Sequence, residues 1–543
     1  MIQRTYKFLY YWYLLLLFFG PHTIASTTFN PQIIYPSGGT NPISAALGDF
    51  NRDGHLDIVI LNQSDGITDG SVSIFLNNGD GTFTLTNTYT VGLSPQSIVA
   101  ADFNRDGLLD LVILNSGDNN FTLLQGNGDG TFTAQTTTPI SNFSSFLIQN
   151  DFNGDGITDV AVAYKSLSTS ANSVQVFFGN GAGIFLPGSL FAVDTDPASL
   201  VTADFNGDGI PDIAAANSGS GTASVLLGNG DGSFQPQQDY AVGNNPQSIA
   251  SGVFSNSGFS DLVVANANDA SVSVLNGNGD GSFQPQVTYA VGNIPSCVAL
   301  GDLNNIGVDD IVVSNSADNN ISVLYNGNFS AQQIFPVGNQ PSFIILGDLV
   351  GNGRSDVIVT NFGDNTFSIL FNVVPQTITF PPIPNLFFGT PPFTPYASAS
   401  SNLPAAFSVI SGPATISGNT LTLTNFGTIV IAANQSGNDE FAAAPQVTQS
   451  FEVTFKFDGK VTHNNFLTQT DIINQLSWGP NPNPSITFFQ LFRNGTFLKQ
   501  FPVAGPFHYD DHNRKKKQTN TYVLNAINAA GTTVYSATVV LRD

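Results

Sequence analysis

An aspartate-rich loop recurs seven times before residue 375 and constrains the fold more than any other feature of the sequence. The loops begin at positions 49, 102, 151, 204, 253, 302 and 348, so the repeat length is near 50 residues. Each repeat consists of an apolar segment, the loop, a second apolar segment, a polar turn, a third segment, a glycine-rich turn and a fourth segment. A period of this length with four short strands per unit is typical of a β-propeller blade.

The apolar segments indicate strands that are buried on both faces, because segments such as 110–115 (DLVILN) are almost continuously apolar. After the N-terminal region no stretch carries a 3.6-residue period, so we expect little helix. The composition changes at residue 375, where a proline-rich stretch begins. We therefore predict an all-β protein: a seven-bladed β-propeller at 27–374, followed by two small β-sandwich domains at 375–456 and 457–543.

The seventh repeat has no fourth strand of its own after residues 368–372 (SILFN). Residues 29–35 (FNPQIIY) align with 283–289 (FQPQVTY), which form a fourth strand in the fifth repeat. We expect the N-terminal segment to complete the last blade and to close the ring, because closure removes two exposed sheet edges.

The first 26 residues have the pattern of a secretory signal peptide. Arg4 and Lys7 precede an apolar run at 8–19, and small residues near Ala25 and Ser26 offer a cleavage site. The alternative is a membrane anchor, but the run is short of the roughly 20 apolar residues that a span requires. We expect a secreted or cell-surface protein with no membrane span in the mature chain.

The charge is strongly acidic, with Lys+Arg 15 against Asp+Glu 39 and a net charge of −24. This balance argues against nucleic acid as a partner, because phosphate binding requires a basic surface. Residues 27–374 hold 31 acidic residues, all of them Asp, against four basic residues. Such a bias indicates turns and metal loops, where a short carboxylate reaches its own backbone or a shared cation. The single cysteine, Cys297, excludes an internal disulfide framework.

Four loops fit the pattern Asp-x-Asn-x-Asp-Gly-x-x-Asp without a gap. Side-chain oxygens at positions 1, 3, 5 and 9 and the backbone carbonyl at position 7 form a donor set suited to calcium. The predicted metal residues are Asp49, Asn51, Asp53, His55 and Asp57 in the first loop; Asp102, Asn104, Asp106, Leu108 and Asp110 in the second; Asp151, Asn153, Asp155, Ile157 and Asp159 in the third; and Asp204, Asn206, Asp208, Ile210 and Asp212 in the fourth.

The alternative interpretation of these loops is that Asp and Asn only form turns. Turns do not require three carboxylates at fixed offsets, and such carboxylates repel by roughly 4 kcal/mol per pair at 4 Å and an intermediate dielectric. A divalent cation relieves that repulsion, so we predict calcium in these four loops.

The remaining three loops have lost ligands. The fifth has Val253, Ser255 and Ser257 at the first three ligand positions, and we predict no metal there. The sixth has Ile306 at position 5, and the seventh has Val350 and Asn352 at positions 3 and 5. We predict weak or absent metal binding in the sixth and seventh loops.

Residues 48–59 (GDFNRDGHLDIV) resemble FG-GAP or VCBS repeats, including those of the integrin α-chain propeller, and the resemblance covers about 29–372. It implies calcium on one rim and ligand binding on a face or between blades. Residues 376–455 resemble a bacterial Ig-like repeat through 376–380 (QTITF), 407–414 and 427–430. Residues 460–543 are similar to a fibronectin type III domain through Trp478, 491–495 and 522–528.

Catalytic motifs are scarce, since the sequence contains no Gly-x-Ser-x-Gly elbow and no phosphate loop. His508 and His512 are four residues apart, but we expect them in strand and loop rather than in a helical zinc site. We expect Cys297 to be buried and inert. The basic run Arg514–Lys517 indicates a solvated turn or, alternatively, contact with an anionic surface or glycan.

We therefore expect a monomeric, calcium-binding, non-catalytic protein that recognises an extracellular protein or glycan. A second hypothesis is a lectin with sugars between blades near Tyr240 and Tyr289. A third hypothesis assigns the chain to a secreted polysaccharide- or lipid-acting enzyme system, in which it is a non-catalytic part or itself works through Asp pairs and calcium.

Overall fold

The computed structural model describes residues 28–542 except 142, 166–171, 255–257, 327–328, 330, 439, 455, 466–469, 480–482, 506, 513 and 515. The predicted signal peptide at 1–26, with Ser255, Ser257 and Lys515, lies outside the described residues. The chain divides into two units, the first ending at Val374 and the second beginning at Pro375.

Seven four-stranded antiparallel sheets are present among the described residues of the first unit. In chain order their strands are Pro42–Gly48, Asp57–Asn62, Asp69–Asn77 and Phe83–Leu93; Pro95–Ala101, Asp110–Asn115, Asn120–Gly126 and Phe132–Pro139; Ser144–Asn150, Asp159–Tyr164, Ser173–Gly179 and Phe185–Ala192; Pro197–Ala203, Asp212–Asn217, Thr222–Leu226 and Gln238–Ala241; Pro246–Gly252, Asp261–Asn266, Ser271–Leu275 and Val287–Ala290; Pro295–Gly301, Asp310–Asn315, Asn320–Leu324 and Gln332–Pro336; and Ile33–Pro36, Pro341–Gly347, Asp356–Asn361 and Thr366–Leu370.

The strand that follows the aspartate loop is the second strand of each repeat, Asp356–Asn361 in the seventh, and it is buried along its whole length in every sheet. The apolar clusters that cover it combine residues of neighbouring sheets, for example Val59 and Leu61 with Leu111 and Ile113. Burial on both faces explains why these strands are continuously apolar rather than alternating.

The strands that precede the aspartate loops lie side by side in successive sheets. That of the seventh sheet, Pro341–Gly347, contacts that of the first, Pro42–Gly48. Serine hydroxyls connect some of these neighbours. Ser296 donates to the carbonyl of Pro341 at 2.7 Å, and Ser342 donates to that of Pro42 at 2.7 Å. The seven sheets therefore surround a common axis, and their first strands line it.

The N-terminal residues pair with the end of the first unit. Ile33–Pro36 forms the outer strand beside Thr366–Leu370, with Ile33 opposite Ile369. Thr28–Phe29 pairs with Asn372–Val373 in a separate two-stranded sheet. The ring is thus joined by segments more than 330 residues apart, as the bond from Ser368 to the side chain of Gln32 also shows.

The second unit is also built from strands. Its first part contains Ile378–Thr379, Leu386–Phe387, Ser398–Ala399, Ala406–Ser411, Ala414–Ser417, Thr420–Leu423, Gly427–Gln435 and Ala444–Thr454. Its second part contains Phe457–Asn465, Thr470–Trp478, Ile486–Arg493, Thr496–Pro502, His508–Asp511, Thr519–Asn528 and Thr533–Arg542.

The prediction of an all-β chain with repeated four-stranded sheets is confirmed, since the described residues form strands and no helix. Accordingly, the described part of the chain contains no helix with the length and apolar character needed to cross a membrane.

Candidate metal centre

The first aspartate loop folds around its own side chains. The carboxylate of Asp49 accepts hydrogen bonds from the backbone N–H groups of Asp53 and Gly54, both at 3.0 Å. The side-chain oxygen of Asn51 accepts from the same Asp53 N–H, and the Asp53 carboxylate accepts from the N–H of His55 at 2.9 Å. Gly54 has φ 89°, which glycine adopts without steric cost. The turn therefore gathers the oxygens of positions 1, 3 and 5 on one short loop.

The second, third and fourth loops repeat this arrangement. In each, the position-1 carboxylate accepts from the N–H groups of positions 5 and 6. The position-5 carboxylate accepts from the position-7 N–H, which belongs to Leu108, Ile157 or Ile210. The sequence-predicted residues thus lie together within each loop, and the four loops share one hydrogen-bond pattern.

The aspartate at position 9 is different, because it is fully buried and begins the second strand. In the first loop, Asp57 accepts from the backbone N–H of Phe50 within the loop and from that of Asn77 at the end of the third strand, both at 2.9 Å. The same pair of bonds occurs in all seven repeats, with Asp57, Asp110, Asp159, Asp212, Asp261, Asp310 and Asp356 as acceptors. This carboxylate therefore fixes the loop to the sheet in every repeat.

The carboxylates of an intact loop also affect one another electrostatically. Burial raises the pKa of Asp57 to about 6, against the lowering effect of its two amide bonds, and the charges of Asp53 and Asp49 raise it further. The pKa values of Asp159 and Asp212 are raised to about 6 for the same reasons, and that of Asp110 is raised as well. Three aspartates of each loop are thus close enough to repel.

The chemistry of these donors suits calcium, because carboxylate, amide and carbonyl oxygens are the ligands of a hard cation. In the conformation described, however, the carboxylates bond the loop's own amides. No group of three or more His, Cys, Asp or Glu side chains within the described residues converges as a metal site. The loops therefore supply the donor set, and the side chains must turn towards a shared ion to use it.

The sixth and seventh loops keep the fold without the full donor set. Asp302 accepts from the N–H groups of Ile306 and Gly307, at 3.0 and 2.6 Å. Asp348 accepts from those of Asn352 and Gly353, at 3.0 and 2.7 Å. These are the bonds that Asp49 makes, so an aspartate at position 5 is not required for the shape of the loop.

The fifth loop has Val253 in place of the position-1 aspartate, and a carboxylate of the sixth loop bonds its backbone. The carboxylate of Asp309 accepts from the N–H of Val253 at 3.0 Å. Val253, at position 1, is 39% exposed, so an apolar side chain stands where the intact loops present a carboxylate.

Two arginines connect neighbouring intact loops. The guanidinium of Arg52 in the first loop donates to the carbonyl of Gly107 in the second at 2.6 Å. Arg105 in the second loop donates in the same way to the carbonyl of Gly156 in the third. The third and fourth loops have Gly154 and Gly207 at this position. The arginine side chains therefore link the first three loops.

The other residues singled out from the sequence lie apart from these loops. Cys297 is buried, and burial raises the pKa of its thiol. Tyr240 and Tyr289 pack edge to face on Phe283 and Phe329, each with ring centroids 5.4 Å apart.

His508, His512 and the basic run that begins at Arg514 lie in the second unit. His508 is in the strand His508–Asp511, and His512 follows it with Nδ1 2.8 Å from the carboxylate of Asp471. That hydrogen bond raises the pKa of His512. The guanidinium of Arg514 donates to the carbonyl of His512 at 2.9 and 2.6 Å.

Sequence analysis missed a ladder of buried asparagines at the ends of the second strands. Six of the seven second strands end in Asn, and the side-chain amide donates to a Ser or Thr hydroxyl on the third strand, as Asn217 does to Ser224 at 2.9 Å. The signal was present, because segments such as DIVILN, DIAAAN and DVIVTN all begin with Asp and end with Asn. The third repeat ends in Tyr164 instead.

One protein-family model matches the repeats of the first unit. The FG-GAP-like repeat matches residues 64–113, 102–148, 151–215, 204–255, 254–313 and 302–359, which together exceed half of the chain. No curated protein matches.

Solved structures that match part of this chain include a functionally unknown protein from Desulfotomaculum acetoxidans (15% identity, TM-score 0.40, covering 55% of this chain and 90% of that one). A protein from Lactobacillus plantarum has 17% identity, a TM-score of 0.43 and coverage of 56% and 87%. A periplasmic gluconolactonase from Pseudomonas aeruginosa has 16% identity, a TM-score of 0.42 and coverage of 56% and 87%. On the strength of the repeat match, the chain belongs to the FG-GAP-like repeat family, with a β-propeller as its first unit.

Proposed function

We propose that this chain is an exported calcium-binding protein that recognises an extracellular protein or glycan and has no catalytic activity of its own. Its propeller has seven blades, and Ig-like and fibronectin type III-like sandwich domains follow it as spacers. The signal-peptide pattern at 1–26 supports export. The mature chain is a monomer in this proposal.

One observation carries the calcium assignment. The sixth and seventh loops adopt the same hydrogen-bonded turn as the intact loops although Ile306 and Asn352 replace the position-5 aspartate. Folding therefore does not explain why Asp53 and its three counterparts are present, since each adds repulsion next to a buried carboxylate. A bound divalent cation would offset the repulsion that the extra carboxylate adds, and the all-oxygen donor set fits calcium.

In the bound form, positions 1, 3, 5 and 9 would supply side-chain oxygens, and His55, Leu108, Ile157 and Ile210 would supply backbone carbonyls. The ion would cancel the repulsion within each loop. The loops would then hold one rim of the propeller in a fixed shape.

Metal analysis and calorimetry test the proposal. Protein that is purified with calcium and then desalted should retain four calcium ions per chain. Stripping the metal should lower the melting temperature of the first unit, because each site at 100 times its Kd contributes about 2.7 kcal/mol. An unchanged melting curve would show that the loops are only turns. Turnover assays with polysaccharide and lipid substrates should give no activity.

A further inference from the structure

The last part of the chain, residues 457–543, differs in charge from the rest. It holds eight Lys and Arg against five Asp, a net charge of +3, whereas 27–374 holds four basic residues against 31 Asp. Salt limits the reach of a charge to about 8 Å at physiological ionic strength. The local sign of a surface, rather than the net charge of the chain, therefore decides what that surface attracts.

Three exposed cations lie together at one end of this part. Lys516 and Lys517 form an exposed turn, which leads into the strand that begins at Thr519. Thr519 lies opposite Arg542, whose side chain is also exposed. We call Lys516, Lys517 and Arg542 the basic tip.

The basic tip lies at the end of this part that is away from its first residue, Phe457. Phe457 is opposite Trp478 at one end of its sheet, and Thr470 begins the second strand at the other end. The strand before the basic turn runs towards Thr470, because it passes from opposite Ser477 to opposite Asn474. The tip is therefore at the opposite end from the junction with the preceding part of the second unit.

The two aspartates at this end are each held by a cation outside the basic tip. The carboxylate of Asp511 accepts a hydrogen bond from the guanidinium of Arg493 at 2.8 Å, and that of Arg514 is 3.4 Å away. The carboxylate of Asp471 is 2.8 Å from Nδ1 of His512. The turn thus adds positive charge beside carboxylates that already have a partner.

An exposed valine lies on the same face of the sheet as the tip. Val540 is 58% exposed and comes two residues before Arg542 in the last strand. Side chains alternate between the two faces of a strand, so Val540 and Arg542 share one face. That face is the outer one, because Val540 lies opposite Thr521, whereas the next residue, Tyr522, is fully buried.

An exposed phenylalanine extends this outer face. Phe497 is 51% exposed and lies opposite Phe492, with the ring centroids 5.6 Å apart. Phe492 lies opposite Val523, which shares the outer face with Thr521 two residues before it. Large apolar side chains and the basic tip thus occupy one outer face, towards the same end of the sheet.

This combination favours a lipid surface over a soluble polyanion. A polyanion requires only the cations, whereas the boundary between headgroups and acyl chains also takes up exposed apolar side chains. Lysines near an anionic membrane surface add electrostatic attraction, and transfer of the phenyl and isopropyl groups out of water adds the hydrophobic term.

We propose that this face attaches the protein peripherally to a membrane with anionic headgroups. Lys516, Lys517 and Arg542 contact the headgroups, and Phe497 and Val540 enter the interface. The inference goes beyond the proposed function, because it concerns how the chain is held at a surface and not what its propeller recognises.

Vesicle flotation tests the proposal on the chain from Thr27 onward, because the apolar run at 8–19 would bind lipid by itself. Vesicles of phosphatidylcholine and phosphatidylglycerol should bind the protein, and vesicles of phosphatidylcholine alone should bind at least tenfold more weakly. Binding to the anionic vesicles should fall at least tenfold from 0.1 to 1 M salt, since the screening length falls from about 10 to about 3 Å.

A pair of charge variants separates the basic tip from net charge. Lys516→Gln with Lys517→Asn should weaken binding at least tenfold. Asn tolerates the backbone φ of 60° at position 517, so the turn should be kept. Lys456→Gln with Lys460→Gln removes the same charge near the other end and should bind as the wild type does.

A pair of apolar variants separates a lipid surface from a polyanion. Phe497→Ser should weaken vesicle binding at least threefold, because its ring no longer leaves water. Ile410→Ser is the matched control, since Ile410 is 54% exposed in the preceding part, and it should bind normally. If Phe497→Ser lowers the melting temperature, Val540→Thr replaces it with the same expected loss.

Four outcomes would overturn the proposal: no binding to anionic vesicles, equal binding to neutral ones, wild-type binding in the Lys516 and Lys517 variant, or wild-type binding in the Phe497 or Val540 variant. Binding to dextran sulfate that Phe497→Ser leaves unchanged, without vesicle binding, would assign the tip to an anionic polysaccharide instead. In each of these cases four bound calcium ions would leave the proposed function standing.

Discussion

The intact and the degenerate aspartate loops form an internal comparison within one propeller. Both kinds keep the buried position-9 aspartate with its two amide bonds, and the sixth and seventh also keep position 1. The sixth and seventh loops differ from the intact loops at position 5, where Ile306 and Asn352 replace Asp, and the seventh also has Val350 at position 3. The intact loops therefore carry a position-5 carboxylate that the shape of the loop does not require. The comparison separates residues that hold the loop from residues that we assign to the metal.

The largest expected effect comes from the position-9 aspartate of the fifth loop, which lacks the other predicted metal ligands. Asp261→Ala leaves the N–H groups of Phe254 and Gly277 buried without an acceptor. We expect the free energy of unfolding to fall by about 3 kcal/mol, because each such amide costs about 1–3 kcal/mol. Urea unfolding should show the same loss with and without calcium. A loss below 1 kcal/mol, or a loss that appears only with calcium, would show that Asp261 does not hold the loop independently of metal.

A change at position 5 of an intact loop should behave in the opposite way. Asp53→Ile copies the sixth loop and should remove one of four bound calcium ions. In saturating calcium we expect a loss of about 2 kcal/mol in stability, since a bound ligand stabilises only the folded state. In metal-stripped protein the loss should vanish, because a repelling charge has gone. Equal losses in both conditions would show that Asp53 is a structural turn residue.

The reverse change sharpens the comparison. Ile306→Asp completes the ligand pattern of the sixth loop, which already has Asp302, Asn304 and Asp310. We expect a fifth calcium ion and a gain of about 1 kcal/mol in saturating calcium. Ile306 is 53% exposed, so its loss should not disturb the core. Ile306→Asn, which lacks the charge, is the control, and four ions in both variants would contradict the ligand assignment.

The pH dependence of stability provides a further test. Burial raises the pKa of Asp356, in the seventh loop, to about 7 and those of Asp57, Asp159 and Asp212 to about 6. A carboxyl group with a higher pKa in the folded state binds more protons there, so metal-stripped protein should gain stability as pH falls from about 7 to 4. Calcium should abolish the part of this gain that comes from the three intact loops. Melting temperatures at pH 5 and 7.5 test this, and lower stability at pH 5 in stripped protein would contradict it.

The repeat period and the continuous apolar segments were enough to predict an all-β chain of four-stranded sheets, because buried strands must be apolar on both faces. The loop motif likewise located the residues that lie together in each loop. The double role of these aspartates could not be predicted. Nothing in the motif reveals that the carboxylate of Asp57 holds Phe50 and Asn77, because those amides come from a loop and a strand that only the folded sheet brings together.

The departures of the third repeat were visible in the sequence, since Ser144 and Tyr164 break patterns that the other six repeats keep, and Lys165 is charged at a position that is uncharged in the others. Their placement was not visible. Alignment of repeats shows which residue differs, but only packing shows that Ser144 and Lys165 border one cleft and that the Ser144 hydroxyl lacks a partner.

The arginine contacts between loops have a consequence for how the sites would fill. Arg52 and Arg105 bond the backbone of the following loop at Gly107 and Gly156, one residue before the position-7 carbonyl that we assign to the ion. Ordering one loop would lower the entropic cost of ordering the next, so the first three sites would titrate cooperatively and the fourth independently. A calcium binding isotherm would then have two phases, in a ratio of three ions to one.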